Sequence, residues 1–245
     1  MKRGTLAFQF TKPIVMPDGK SLLSRMVRYG LLAVLVPAAM LFIPAGTLKF
    51  WQGWAFLAVC LVNAVLLVIC FYKRDPQLIE RRLLKREKIR EQQLIQKLGR
   101  PIFFAAFLLP GLDYRFGWSR AHPGPVPLWL TLLALALALG AQLLIFWVMN
   151  VNRYAARIIQ VEAGQTLAAT GPYRFVRHPM YLGLVVTWLA AGPALGSFVA
   201  APAFALFVPL TIFRLLNEEK ILNRDLPGYA DYCQRTRYRL VPGVW

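Results

Sequence analysis

Long apolar runs, separated by short polar or basic stretches, dominate this chain of 245 residues. Three of them, 27–45, 50–72 and 128–149, are each long enough to cross the hydrocarbon core of a bilayer as one helix. Aromatic residues at the ends of the second run, Trp51, Trp54 and Tyr72, are typical of membrane interfaces. The pattern therefore predicts several membrane-spanning helices.

Two further apolar stretches are less regular. The stretch 180–213 is too long for one crossing and has turn residues at 192–197 near its middle, which predicts a hairpin with arms at 180–194 and 198–213. The stretch 101–112 is too short to cross upright and is either part of a tilted span reaching Trp118 or a re-entrant piece. Residues 119–127, with three prolines, predict a loop. We predict an all-α polytopic bundle of about six membrane segments.

Composition agrees with a membrane protein. The mean hydropathy is +0.49, 58% of residues are hydrophobic, and the net charge is +18. Because the basic residues lie between apolar runs, we interpret the charge as directed to an anionic bilayer surface rather than to nucleic acid. The three cysteines have no metal-ligand spacing, so we expect no metal site. The sequence does not indicate an oligomeric state.

The distribution of basic residues predicts the orientation. If both termini are cytoplasmic, the segments 1–28, 73–100, 151–179 and 214–245 hold 26 of the 29 Lys and Arg residues. Only Lys49, Arg115 and Arg120 remain on the other side. We predict an inner-membrane protein of bacterial type, with a cytoplasmic arm at 1–26. Membrane helices and a basic surface helix at 73–100 follow within 27–126, and a functional core occupies 127–245.

The segment 171–183, Gly-Pro-Tyr-Arg-Phe-Val-Arg-His-Pro-Met-Tyr-Leu-Gly, combines chemistry that a simple connector does not need. Pro179 is suited to the first turn of a helix, which would put His178 near unpaired backbone N–H groups that favour an anion. Arg174 and Arg177 add forks for carboxylate or phosphate. The predicted topology brings this segment to the side of the membrane that holds the charged tail.

The tail supplies complementary groups: Glu218, Glu219, Arg239 and the tyrosines 229, 232 and 238. Carboxylates accept hydrogen bonds from hydroxyl or ammonium groups, and tyrosine faces, including that of Tyr173, suit a cation. S-adenosylmethionine carries a carboxylate, an ammonium, ribose hydroxyls and a sulfonium, and so would use all of these groups. No glycine-rich dinucleotide fingerprint in a strand–turn–helix context is apparent.

The Arg177-His178-Pro179-x-Tyr181 element, the later Glu218-Glu219 pair, and Tyr229, Tyr232 and Tyr238-Arg239-Leu-Val-Pro242 resemble the isoprenylcysteine carboxyl methyltransferase family of membrane enzymes. Phospholipid N-methyltransferases are similar over the same region. The resemblance covers about the last hundred residues and implies an S-adenosylmethionine site open to the cytoplasm, with a lipidic or prenylated acceptor entering from the bilayer.

The resemblance also implies roles for individual residues. Arg177, His178, Pro179, Tyr181 and Gly183 would line the cofactor, Glu218 and Glu219 would complete its site, and Tyr173, Tyr229 and Tyr232 are further cofactor candidates. Arg174 and Arg239 would orient an acceptor carboxylate. If the acceptor were an amine, a glutamate, with Glu218 as the catalytic candidate, or His178 would accept a proton.

Simpler interpretations stay open. The arginines can be anchors at the membrane surface, His178 can pack locally, Glu218 can pair with Arg214, and the tail tyrosines can be interface anchors. Gln142, the one strongly polar side chain inside its run, can bond a neighbouring helix or face a ligand. Besides carboxyl methylation, the alternatives are amine methylation of a phospholipid, a nicotinamide-dependent reductase similar to the sterol reductases, and a non-enzymatic lipid-binding protein.

Overall fold

The computed structural model describes residues 22–72, 74–76, 78–79, 90–154 and 165–245. The predicted arm, except for its last five residues, lies outside this part of the chain, and so do residues 73, 77 and 80–89 of the predicted basic helix at 73–100. Helices alone form the regular structure of the described residues: α1 (Leu22–Ala45), α2 (Trp51–Phe71), α3 (Arg90–Phe116), α4 (Trp118–Ala121), α5 (Leu128–Val151), a 3-10 turn (Gly171–Arg174), α6 (Pro179–Ala194), α7 (Ala201–Ala205), α8 (Phe207–Asp225) and α9 (Tyr229–Arg235).

The predicted fold class, an all-α polytopic membrane bundle, is confirmed. Within the described residues, four segments are long and apolar enough to cross a bilayer, namely Ser24–Ala45, Trp51–Phe71, Leu128–Val151 and Ala201–Asp225. Helix α6 is a shorter apolar helix. The predicted count of about six corresponds to these five segments, with α7 and α8 counted as one, together with the apolar half of α3.

Four predicted boundaries are corrected. Helix α1 begins at Leu22 rather than near residue 27. Helix α3 runs unbroken from Arg90 through Pro101 to Phe116, although the sequence suggested a boundary at residue 100; a missing proline N–H is tolerated where tertiary packing supports the helix. The second arm of the hairpin starts at Ala201 and continues to Asp225, and a helical turn at Trp118–Ala121 occupies part of the predicted loop.

Small residues let the helices approach closely. An added Cβ at Gly183 of α6 would lie 2.6 Å from Ile145 Cγ1 and 3.0 Å from the Ala141 carbonyl oxygen, both on α5. An added Cβ at Gly111 of α3 would lie 2.3 Å from the carbonyl oxygen of Leu41 on α1. Such contacts replace the hydrophobic driving force that lipid does not provide between membrane helices.

The polar side chains inside the bundle join helices. The amide of Asn63 on α2 donates to the Gln142 carbonyl oxygen on α5 at 3.1 Å, and Gln142 Nε2 donates to Thr187 Oγ1 on α6 at 3.5 Å. Gln142 therefore bonds a neighbouring helix, as the first of its two interpretations requires.

At the C-terminal end of α6, the buried carboxylate of Asp113 stabilises the hairpin turn. Asp113 accepts hydrogen bonds from the Ser119 backbone N–H and from the hydroxyls of Ser119 and Ser197. Gly196 in this turn has φ +67°, a conformation that favours glycine. The other end of α6, about 24 Å away along sixteen residues, begins at Pro179 and holds the polar groups singled out in the sequence.

Candidate functional site

Backbone pairing with the tail fixes the 171–183 segment. The N–H of Arg177 donates to the Tyr238 carbonyl oxygen at 2.9 Å, and that of His178 donates to the Arg239 carbonyl oxygen at 3.0 Å. The tail is itself closed by the Trp245 carbonyl oxygen, which accepts from the N–H of Arg239 at 2.8 Å. The segment before α6 and the chain after α9 therefore meet, as the sequence predicted.

Glu219 lies at the centre of this meeting point, with only 6% of its surface exposed. Arg239 Nε donates to Oε2 at 2.8 Å, while His178 Nε2 lies 3.2 Å and Arg177 Nε 3.3 Å from Oε1. The segment before α6 and the tail thus converge on one carboxylate, which a third segment, α8, supplies. Both of its oxygens are engaged by protein groups, so Glu219 organises the cationic side chains around it.

Arg177 approaches Glu219 without a well-formed hydrogen bond. Its Nε is within ion-pair distance, yet the buried N–H is not directed at a suitable acceptor within the part of the chain that the structure describes. We regard the contact as an ion pair, because Coulomb attraction depends on distance more than on the direction of one N–H. The Cys233 thiol on α9 also contacts the guanidinium.

His178 is the residue before α6, where Pro179 takes the first helical position. Its side chain is 4% exposed, and Nε2 faces the Tyr229 hydroxyl at 3.3 Å as well as Glu219. The ring therefore lies inside the cluster, and the local-packing interpretation accounts for neither of these polar contacts.

Glu218 points to a different neighbour from Glu219, since consecutive residues of a helix face different directions. It accepts a hydrogen bond from the hydroxyl of Tyr181, a residue that is 3% exposed. The two glutamates thus form two adjacent polar groups. The first is organised by Tyr181 and the second by arginine and histidine.

Two of the predicted tyrosines, Tyr229 and Tyr232, are buried beside the cluster and pack against the partly buried Tyr173, whereas Tyr238 is 39% exposed. Tyr232 donates to the Tyr173 carbonyl oxygen at 2.8 Å, and the Tyr173 hydroxyl accepts from Asn152 Nδ2 at 2.9 Å. Burial raises the pKa of Tyr232 to about 12 and that of Tyr229 well above its ordinary value. Tyr229 and Tyr232 are only 3% and 2% exposed, so for them the interface-anchor interpretation is wrong.

Two predicted site residues take other positions. Arg174 is exposed at the end of the 3-10 turn, away from the Glu219 contacts. Gly183 is one of the closest contacts between α5 and α6, which shows a packing role; its predicted contact with a cofactor stays a prediction. Asn152, Cys233 and Gln92 also contact residues of this region, Gln92 by way of Arg214, and none of these contacts was predicted from the sequence. No local pattern marks these residues, because each of these contacts is made across the fold.

The donor set fits S-adenosylmethionine. The guanidinium groups of Arg177 and Arg239 can each donate two parallel hydrogen bonds to a carboxylate. The buried Nε of Arg177 makes no hydrogen bond within the described residues and can donate to such a ligand. Glu218 offers acceptor oxygens for an ammonium or hydroxyl, and aromatic faces lie close by. The residues present are therefore suited to a zwitterionic, cationic cofactor.

Fold and site together define an integral membrane protein with a buried arginine–glutamate–histidine cluster at one end of its helices. Residues 132–224 match the model of the isoprenylcysteine carboxyl methyltransferase (ICMT) family. This confirms the suspected resemblance over those residues and supports a membrane methyltransferase. The matched region contains both the Arg-His-Pro-x-Tyr element and Glu218-Glu219, while Tyr229, Tyr232 and Arg239 follow it.

Curated relatives are similar over part of the chain. The cobalt-zinc-cadmium resistance protein CzcN of Cupriavidus metallidurans is 30% identical over 123 residues, which are 49% of this chain and 51% of that protein. The nickel-cobalt-cadmium resistance protein NccN of Alcaligenes xylosoxydans xylosoxydans is 33% identical over 87 residues, 34% of this chain and 39% of that protein. Mouse Delta(14)-sterol reductase TM7SF2 is 31% identical over 90 residues, 36% and 22% of the two chains. The chain thus spans about half the length of these relatives or less.

Proposed function

We propose that this protein transfers a methyl group from S-adenosylmethionine to the carboxylate of a lipidic acceptor, such as an isoprenylcysteine. The observation that carries the proposal is the convergence on Glu219. His178 and Arg177 come from the family-matched segment, and Arg239 comes from the tail that follows it. We further propose that the protein lies in a bacterial inner membrane, with both termini and this cluster on the cytoplasmic side.

The residues around Glu219 would hold the cofactor. Arg177 and His178, kept in place by Glu219, would bind its carboxylate, and Glu218 would accept hydrogen bonds from its ammonium or ribose hydroxyls. Pro179 fixes the entry of the chain into α6, and Tyr181 fixes Glu218. Tyr173, Tyr229 and Tyr232 would provide the aromatic wall beside the cofactor. When bound, S-adenosylmethionine supplies an electrophilic methyl group on a sulfonium.

The proposal that the acceptor group is a carboxylate rests on the charges around the site. Three arginines, 177, 214 and 239, stand against two glutamates, 218 and 219, so the surroundings favour an anionic group. Arg174 and the outer face of Arg239, which is 31% exposed, would orient a carboxylate brought by the acceptor. An ionised carboxylate is already a nucleophile and needs no general base; positioning and exclusion of water would supply most of the rate.

Amine methylation is less well supported by the same geometry. An amine nucleophile must lose a proton, and both Glu219 oxygens already accept contacts from Arg177, His178 and Arg239. Glu218, with one oxygen bonded to Tyr181, or His178, whose Nε2 already contacts Glu219 and Tyr229, would have to accept that proton. Phospholipid N-methylation therefore ranks second among the methyl-transfer reactions.

A nicotinamide-dependent reductase is a second candidate function, favoured by the similarity to the mouse sterol reductase over 90 residues. The cluster around Glu219 does not by itself distinguish a methyltransferase from a reductase, because arginines also bind the phosphates of a nicotinamide cofactor. Direct binding separates the two candidates.

The test is calorimetric titration of the detergent-solubilised full chain with S-adenosylmethionine, S-adenosylhomocysteine and NADPH. We expect saturable binding of the first two, and NADPH binding without either of them would overturn the proposal. Arg239→Gln should weaken cofactor binding, because Arg239 holds Glu219, which keeps Arg177 and His178 in place. Arg237→Gln, which removes an exposed charge two residues away, should not weaken it. Radiolabelled methyl transfer from the cofactor to a farnesylcysteine analogue, compared with transfer to phosphatidylethanolamine, then identifies the acceptor group.

A further inference from the structure

We propose that Gln92 and Arg214 are positioning residues that set the orientation of Glu218 through Tyr181, so that helix α3 takes part in forming the cofactor site. The inference rests on the proposed function, since it assigns Glu218 to the S-adenosylmethionine site. It adds two residues that lie outside the sequence motif and a helix that precedes the family-matched region.

The starting point is an amide that is buried without any exposed surface. Gln92 near the start of α3 is 0% exposed, and its Oε1 accepts a hydrogen bond from Arg214 Nη1 at 3.2 Å. Its Nε2 donates in return to the Arg214 carbonyl oxygen at 3.5 Å. A buried primary amide is costly unless its polar atoms are bonded, and here both bond the same arginine.

Arg214, held by Gln92, in turn contacts the proposed cofactor site. Its guanidinium lies beside the Tyr181 hydroxyl, which donates to Glu218 Oε2. Arg214 lies one turn before Glu218 on α8, and Tyr181 lies on α6. Side chains from α3, α8 and α6 thus form one continuous chain of contacts that ends at the Glu218 carboxylate.

Each contact in this series of side chains restricts the rotation of the next side chain. A guanidinium that is held on one side by a fixed amide presents its remaining N–H groups in a fixed plane, because the group is planar and delocalised. The Tyr181 hydroxyl between Arg214 and Glu218 then has one acceptor and one donor neighbour, which defines its direction. Preorganised side chains bind more tightly because less conformational entropy is lost on binding.

The experiment measures S-adenosylhomocysteine affinity by calorimetry for the full chain in detergent. Gln92→Met keeps the length of the side chain but removes its hydrogen bonds, and we expect about tenfold weaker binding, equivalent to about 1.4 kcal/mol. Gln92→Glu keeps an acceptor for Arg214 and should bind within about threefold of the parent protein. If the methionine variant does not fold, Gln92→Asn, which is too short to keep both contacts, is judged by the same criteria.

A double-mutant cycle separates positioning from packing. If Gln92 acts through Glu218, then Gln92→Met in a Glu218→Gln background should change affinity less than about twofold. A tenfold loss that persists in that background would overturn the inference, and so would an affinity within about twofold of the parent in the Gln92→Met variant.

Asn63→Leu provides the matched control, because Asn63 is a buried amide that also bonds a neighbouring helix and lies among the membrane helices. This change should lower thermal stability and leave affinity unchanged; an equal loss of affinity would show that any buried amide has this effect and would refute the assignment. If the parent protein binds neither S-adenosylmethionine nor S-adenosylhomocysteine, the proposed function fails. If the parent binds and the cycle is additive, only the positioning role fails.

Discussion

Replacing Glu219 with glutamine is the perturbation with the most definite expected effect. The substitution keeps the shape of the side chain but removes the negative charge that Arg239, Arg177 and His178 approach at 2.8, 3.3 and 3.2 Å. It also turns one acceptor oxygen into an N–H₂ donor that faces other donors. The two arginines would remain at the end of the helices without their shared counter-charge.

The size of the expected stability loss in Glu219→Gln depends on how deeply the charged side chains are buried. Removing one partner of a buried ion pair costs about 3–5 kcal/mol, and hydrogen bonds to charged groups contribute about 1.5–3 kcal/mol each. The side chains of Glu219 and Arg177 are 8% and 10% exposed, whereas that of Arg239 is 31% exposed, so water recovers part of its loss. We therefore expect a destabilisation of about 3 kcal/mol, at the lower end of the range.

The assay is thermal unfolding of the purified protein in detergent, followed by circular dichroism. For a chain of this size, about 3 kcal/mol corresponds to a fall in Tm of about 6–12 °C. Glu218→Gln is the matched control: a glutamine oxygen still accepts from the Tyr181 hydroxyl, so the loss should stay below about 1.5 kcal/mol. A fall of less than about 2 °C for Glu219→Gln would refute the view that this carboxylate holds the cluster together.

Three further predictions concern packing, titration and orientation. Gly183→Ala places a Cβ against α5 and should cost about 1–3 kcal/mol by thermal unfolding, whereas Gly140→Ala, with open space around it, should cost nothing; equal Tm values would contradict the close contact. Because its folded pKa is raised to about 12, the contribution of Tyr232 to stability should be fully present below pH 10 and be lost between pH 10 and 12; the Tm of the parent and of Tyr232→Phe against pH measures this, and a loss below pH 9 would argue against a buried phenol. In a cysteine-free background, Arg237→Cys should react with an impermeant maleimide only from the cytoplasmic side and Lys49→Cys only from the opposite side; the reverse pattern would overturn the proposed topology.

Several parts of the fold follow directly from local sequence. The spans predicted at 50–72 and 128–149 appear at Trp51–Phe71 and Leu128–Val151, because a bilayer-length apolar run must satisfy its backbone hydrogen bonds within itself. The turn between α6 and α7 was marked by glycine and proline. The boundary predicted at residue 100 failed because helix packing, which the sequence does not display, carries α3 through Pro101.

For the candidate site, too, some features follow from the sequence and others only from the tertiary structure. The sequence by itself determined which residues are candidates for the chemistry: Arg177, His178, Glu218 and Glu219 stand out because charged groups next to apolar helices are costly unless a partner or ligand compensates them. Charge asymmetry also predicted that the 171–183 segment and the tail share one side of the membrane, and the structure places them in contact.

Only the tertiary structure decided how those residues pair. It assigned Glu219 to arginine and histidine and Glu218 to Tyr181, turned Gly183 into a packing contact, and brought Gln92 to Arg214 from 122 positions away. Helix formation depends on neighbours within one or two turns, which a sequence displays. Side-chain pairing depends on the distances and directions that remain after the helices have packed, and those are properties of the whole fold.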